Sequence, residues 1–216
     1  MRKIYIVGAG GFGKEVAWLI ERINSVIPVW ELAGFIDDDE EKQSKQETKY
    51  PVIGDCSLLA RCEEEVWVVC AIGAAEVRKK VIRKIEGYRN VKFATLIDPS
   101  VTLSSAIRIG EGSIICAGTI LTVDISIGCH VIINLDCTVG HDAMIGDFVT
   151  IYPSVNVSGC VTVEECVELG TGTQIIQGRK IGCGTVVGAG AVVTKDLPSG
   201  CTAVGMPAKP VKYRQM

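Results

Sequence analysis

Aromatic side chains are scarce in this chain: Phe, Trp and Tyr make up 6% of 216 residues, against 48% hydrophobic residues overall. A core built from large rings is therefore excluded. With 24 glycines beside the aliphatics, the composition suits tightly stacked, repeated turns. A dominant charge is missing too. The 22 basic residues are offset by 25 acidic ones, a formal net charge of -3, so no whole-chain field favours nucleic acid or an anionic membrane surface. No apolar run is long enough for a membrane-spanning helix. Glycines from Gly8 onward interrupt the first apolar run too early for a signal peptide, and a cytoplasmic protein is expected. The ten cysteines include no C-x-x-C pair. Without an export signal they read as reduced small fillers rather than bridges or zinc ligands, and no metal is expected.

What is present divides into two rhythms. Through residue 96, short aliphatic runs alternate with helical patterns: strands at Ile4–Val7, Ala33–Ile36 and Val66–Ile72, helices at Lys14–Ile23 and Glu76–Ile85, and a further strand at Val91–Thr95. This alternation predicts right-handed crossovers and a small parallel sheet. Asp38–Tyr50 is polar and aperiodic and reads as a loop. From Ile97 the period becomes six: every sixth residue to Val193 is Ile, Leu or Val, 17 in succession, although these types number only 62 of 216. Seven of the following positions are glycine (110, 128, 140, 146, 170, 182 and 188). Such hexads are the signature of a parallel β-helix, each short strand burying one aliphatic.

On these hexads, and on the tail segments Val192–Pro198 and Gly205–Lys209, the chain resembles the hexapeptide-repeat acyltransferases. The resemblance implies a left-handed β-helix with three faces, so that three hexads make one coil. The expected fold is α/β plus all-β: a Rossmann-like parallel sheet domain over residues 1–96, then a left-handed parallel β-helix over 97–216.

Gly8-Ala9-Gly10-Gly11-Phe12-Gly13 fits G-x-G-x-x-G between a strand and a helix, where backbone amides and the helix N-terminus can receive a phosphate. Carboxylates at Asp37 and Asp38 end the second strand, the place from which a ribose is held. Fewer than 100 residues precede the repeats, too few for the two halves of a dinucleotide fold. A single nucleotide is expected, and Gly73 after the third strand should line the same crevice.

A nucleotide-binding domain joined to a β-helix narrows the resemblance. The whole chain is similar to the nucleotide-sugar N-acetyltransferases related to sialic acid O-acetyltransferases, which acetylate the 4-amino group of UDP- or other NDP-activated amino-deoxy sugars with acetyl-CoA. That resemblance places the nucleotide sugar on Ala9, Gly10, Gly11, Asp37, Asp38 and Gly73. Phe12 stands where the group often has His, and Thr150 where it commonly has a His touching acetyl-CoA.

Only two histidines are present. His130 reads as a solvated corner residue whose loss should be nearly silent. His141 precedes Asp142 and matches the acetyltransferase motif, so it is the expected general base, with Asp142 orienting it. Moving on by one coil from position 141 reaches Gly159, stacked above it, whose N–H is the expected oxyanion donor. The resemblance further implies Asn134 near the active site, and Thr150, Gly159, Thr171, Gly188 and Ala189 against acetyl-CoA. It also implies a homotrimer with active sites between subunits. O-acetylation of a sugar of the sialic-acid type, and a non-catalytic β-helix module that senses nucleotides, are the alternatives; a nicotinamide oxidoreductase would leave the repeats unexplained.

Overall fold

The computed structural model describes residues 1–43 and 49–213. The chain opens with β1 (Arg2–Val7), whose last four residues are all buried, as befits a strand covered on both faces. Next comes α1 (Gly11–Val26), which buries Gly13, Val16, Ala17, Leu19 and Ile20, one stripe at helical spacing. It starts three residues before the expected Lys14, because glycines are tolerated where the first amides have no helical partner anyway.

The strands β2 (Trp30–Ile36), β3 (Val52–Gly54), β4 (Val66–Cys70) and β5 (Val91–Phe93) complete a parallel sheet of order β3-β2-β1-β4-β5 among the described residues. Between them lie α2 (Glu40–Gln43), α3 (Ser57–Ala60) and α4 (Ala75–Ile85). Both β3 and α3 are too short to show a period. In the expected loop 38–50, the Asp39 carboxylate accepts the Glu41 N–H at 3.0 Å and starts α2; residues 44–48 lie outside the described ones. Because β2 and β4 flank β1 on opposite sides, the C-terminal ends of these strands form a topological switch point, the usual crevice of such sheets.

From β6 (Leu96–Ile97) to β22 (Val192–Val193), 17 two-residue strands follow, one per hexad, among the described residues. From β6 through β19 (Gln174–Ile175) each pairs in parallel with the strand three hexads further along, as Thr138 does with Asn156. Three faces result, of eight, six and five strands, and the coil is left-handed. Fourteen of the 17 aliphatics are buried; Ile97 and Ile109 are half-buried and Leu103 is 40% exposed, all three in the first coil, which has no coil beneath it. At the far end β23 (Cys201–Val204) and β24 (Lys209–Tyr213) extend the eight-stranded face.

The corners show what six-residue periodicity demands of the backbone. Fourteen residues in strict succession, every sixth from Gly112 to Gly190, have φ between 54° and 76°. Eight of them are not glycine, including Phe148, Cys160 and Cys166. This left-handed conformation costs an ordinary residue about 1 kcal/mol or more. Hydrogen bonds between coils hold it: His130 N–H donates to Glu111 O at 2.8 Å, Phe148 N–H to Cys129 O at 2.9 Å and Cys160 N–H to His141 O at 2.8 Å.

The sheet domain sits on the eight-stranded face. Outward-facing Ile114 and Ile132 are fully buried in one cluster with Ile4, Ile6, Val16 and Ile20. At one border of this seam Arg22 donates to both carboxylate oxygens of Asp98, at 2.6 and 2.9 Å. The guanidinium holds the Asp98 carboxyl at about 2, well below the ordinary range.

Candidate active site

A cavity of about 490 Å³ opens at the switch point and is lined by Gly10, Gly11, Asp37, Asp38, Lys42 and Gly73, among others. The turn that builds it depends on glycine: a Cβ on Gly13 would overlap the carbonyl oxygen of Gly8. Gly10 caps α1 without a side-chain hydrogen bond, so the first amides of the helix remain open to an anionic ligand. Ala9 departs from its expected role. Its N–H donates to Asp37 Oδ2 at 2.8 Å, and it is not among the cavity-lining residues. Burial would raise the Asp37 carboxyl, but the Ala9 N–H, Lys42 Nζ and the Asp39 N–H together hold it below its ordinary value. Asp38 is lowered by the Cys56 N–H at 2.9 Å and Lys84 Nζ at 2.7 Å. Both carboxylates are ionised and fixed, with lone pairs left for ligand donors.

The Gly73 side of the cavity is anchored to the β-helix by a residue that sequence reasoning missed. Arg78, on α4, is 1% exposed. Its guanidinium donates to Ile72 O (2.6 Å) and Gly73 O (3.0 Å) on one side of the seam. On the other it donates to His130 O (3.0 Å), Phe148 O (2.7 Å) and Thr150 Oγ1 (2.9 Å). Burial pushes the guanidinium down to about 10, so it stays charged at neutral pH. The Thr150 hydroxyl, itself buried, donates to Gly73 O at 2.6 Å. This corrects the expectation for Thr150: its hydroxyl is committed to the domain seam, not presented to a coenzyme. Glu168 Oε1 accepts the Ala75 N–H at 3.1 Å, so a β-helix carboxylate caps α4.

His141 and Asp142 stand on the edge between the six- and five-stranded faces, after β13 (Thr138–Val139) and before β14 (Met144–Ile145). Both are exposed, and His141 Nδ1 lies 2.7 Å from Asp142 Oδ2. With the ring proton on Nδ1, donated to the carboxylate, Nε2 keeps a free lone pair. The ring lies against Gly159 of the next coil, where a Cβ would overlap Nε2. Among the described residues the Gly159 N–H donates no hydrogen bond. The corresponding amides of two other hexads show what such a group donates to: Cys129 N–H donates to Asp147 Oδ1 at 2.7 Å and Cys183 N–H to Glu164 Oε2 at 2.9 Å. An anionic oxygen is thus the fitting partner for this position, and at Gly159 none is supplied by the described residues.

The remaining expected residues lie elsewhere. Asn134, Thr171, Gly188 and Ala189 follow strands of the eight-stranded face and border the edge it shares with the six-stranded face, one edge away from His141. Thr171 and Ala189 are exposed and one full coil apart, hence stacked, whereas Asn134 is 9% exposed with Oδ1 accepting the Leu135 N–H at 2.7 Å. A single chain does not bring these four to the imidazole. His130 is not the solvated corner residue that its position in the hexad suggests. It is 6% exposed, stacked at 5.1 Å on Phe148 and edge-on at 4.8 Å to Phe93, with Nδ1 lacking any partner among the described residues. The period alone placed it at a corner, but could not show that the sheet domain covers that corner.

In architecture the chain is a hexapeptide-repeat acyltransferase with a small parallel-sheet domain seated on its β-helix. Residues 3–85 match the PglD N-terminal domain family. The acetyltransferase domain of PglB from Neisseria gonorrhoeae is 32% identical, with 98% of this chain and 100% of that one covered and a TM-score of 0.87. PerB from Caulobacter crescentus, solved with CoA and GDP-perosamine, is 33% identical, with 98% of both chains covered and a TM-score of 0.87. The chain belongs to the nucleotide-sugar N-acetyltransferase family that these proteins represent. A UDP-N-acetylbacillosamine N-acetyltransferase of Bacillus subtilis is 35% identical over 118 residues, 54% of this chain and about half (52%) of that protein's length.

Proposed function

We propose that the protein is an acetyl-CoA-dependent N-acetyltransferase acting on the 4-amino group of a UDP- or other NDP-activated amino-deoxy sugar. The observation that carries this reading is the His141–Asp142 pair at 2.7 Å with its ring against the open Gly159 amide. In the reaction, His141 Nε2 takes a proton from the sugar amine as the nitrogen attacks the thioester carbonyl. Asp142 stabilises the imidazolium that forms, the Gly159 N–H donates to the oxyanion, and collapse breaks the C–S bond, the leaving CoA thiolate taking the proton from His141. The nucleotide occupies the crevice of residues 1–96, its diphosphate at the N-terminus of α1, held by Gly10 and Gly11 and flanked by Asp37, Asp38 and Gly73. Acetyl-CoA lies along the edge carrying Asn134, Thr171, Gly188 and Ala189.

The crevice rests on the eight-stranded face, and His141 lies on the prism edge opposite that face. A sugar bound to one copy therefore meets the base of another, which supports a homotrimer with sites between subunits. The deciding experiment follows free-thiol release from acetyl-CoA against a panel of UDP-, GDP- and dTDP-linked amino sugars. His141→Ala should lower kcat by about 10²–10⁴ and leave substrate binding intact. Wild-type turnover by His141→Ala would overturn the assignment.

A further inference from the structure

Cys160 is exposed and stacks one coil beyond Asp142. One donor atom from each of His141, Asp142 and Cys160 lies within 4.8 Å of the other two. The two coils that carry them are tied at this point by the Cys160 N–H to His141 O bond of 2.8 Å. We propose that this trio is an inhibitory binding site for a soft divalent cation, with Zn2+ as the ion its sulfur, nitrogen and oxygen donors favour. This rests on the reading of His141 as the base.

The chemistry follows from the donor set. A thiolate, an imidazole nitrogen and a carboxylate oxygen suit zinc, with water as fourth ligand, whereas Mg2+ prefers oxygen alone. All three side chains project from β-helix coils rather than from a long loop, so little reorganisation precedes binding. The Cys160 thiol loses its proton to solvent on ligation. Either ring nitrogen ends base catalysis when metallated. At Nε2 the metal takes the lone pair that would receive the amine proton. At Nδ1 it displaces the proton now shared with Asp142, and the neutral ring then carries its proton on Nε2, which no longer accepts one.

The test has two arms on the full chain. In the first, Co2+ is titrated into wild-type protein, Cys160→Ser and His141→Ala, and the near-ultraviolet thiolate-to-cobalt charge-transfer band is read. The expected result is a saturable band at one ion per chain, lost in Cys160→Ser and weakened in His141→Ala. In the second, ZnCl2 is titrated into the acetyl-transfer assay. Wild-type activity should fall and return on adding EDTA, while Cys160→Ser, with unchanged kcat and KM values in metal-free buffer, should need about tenfold more Zn2+ or higher. Mg2+ should have no effect in either arm. A band that survives in Cys160→Ser, or equal zinc sensitivity of that variant, would overturn the proposal. Absence of acetyl transfer in the wild type would remove the catalytic reading, and the cobalt arm would still decide the site.

Discussion

An imidazole enclosed between two phenyl rings, with one nitrogen facing no acceptor, has one comfortable protonation state. Burial, reinforced by the charge of Arg78, pushes His130 down to about 4, while an exposed histidine in the unfolded chain titrates near 6.5. Between those values the unfolded state binds the extra proton, so stability is full above about pH 6.5 and falls as the pH drops towards 4. The expected loss is on the order of 2–3 kcal/mol. Urea denaturation at pH 7, 6, 5 and 4.5 should show that slope, and His130→Asn, which suits the left-handed corner without titrating, should flatten it. The Asp98 carboxyl acts in a separate window, its contribution being present above about 4 and lost as the pH falls through about 2. His130→Ala removes the ring between Phe93 and Phe148, so it should cost about 2–3 kcal/mol and leave the kcat of the folded protein unchanged. The Gly159 position separates geometry from donor. Gly159→Ala keeps the N–H yet places a methyl group where the His141 ring lies, so kcat should fall by about 10² or more with little change in thermal stability.

At the scale of elements, the β-helix tolerates charge least. Ile145 is 3% exposed in the stacked interior, and Ile145→Asp should cost about 4 kcal/mol or more, read as loss of the folded fraction by circular dichroism. The six-residue period made this half legible from Ile97 to Val193, because one aliphatic per strand leaves no freedom of register. The short elements β3 and α3 were not legible, since three or four residues carry no period. The site was legible where local chemistry defines it: a glycine turn before a helix, aspartates ending a strand, a histidine beside an acid. It was not legible where two distant segments meet. Nothing near Arg78 in sequence marks it as the donor to His130, Phe148 and Thr150, 52 to 72 residues away.

The whole molecule depends on how firmly the sheet domain is held to the prism. Thr150→Val removes a hydroxyl that joins Arg78 to Gly73; it should cost about 1–3 kcal/mol and raise KM for the nucleotide sugar without changing that for acetyl-CoA. Asp37→Asn should split the two KM values in the same direction by about tenfold, and equal effects on both substrates would count against the division of labour between the domains. If sites form between copies, mixing inactive His141→Ala with a crevice-defective Asp37→Ala should restore part of the activity, because some interfaces then pair an intact base with an intact crevice. Since each coil takes three hexads, one for each face, a lineage that gains or loses a single hexad between His141 and Gly159 keeps every aliphatic inward, yet turns everything downstream by a third of a revolution. The protein would still fold, but the amide would face a different wall from the imidazole. Length changes in this half are therefore survivable by the hexad and functionally silent only by the complete turn, so its ancestry should be written in whole coils.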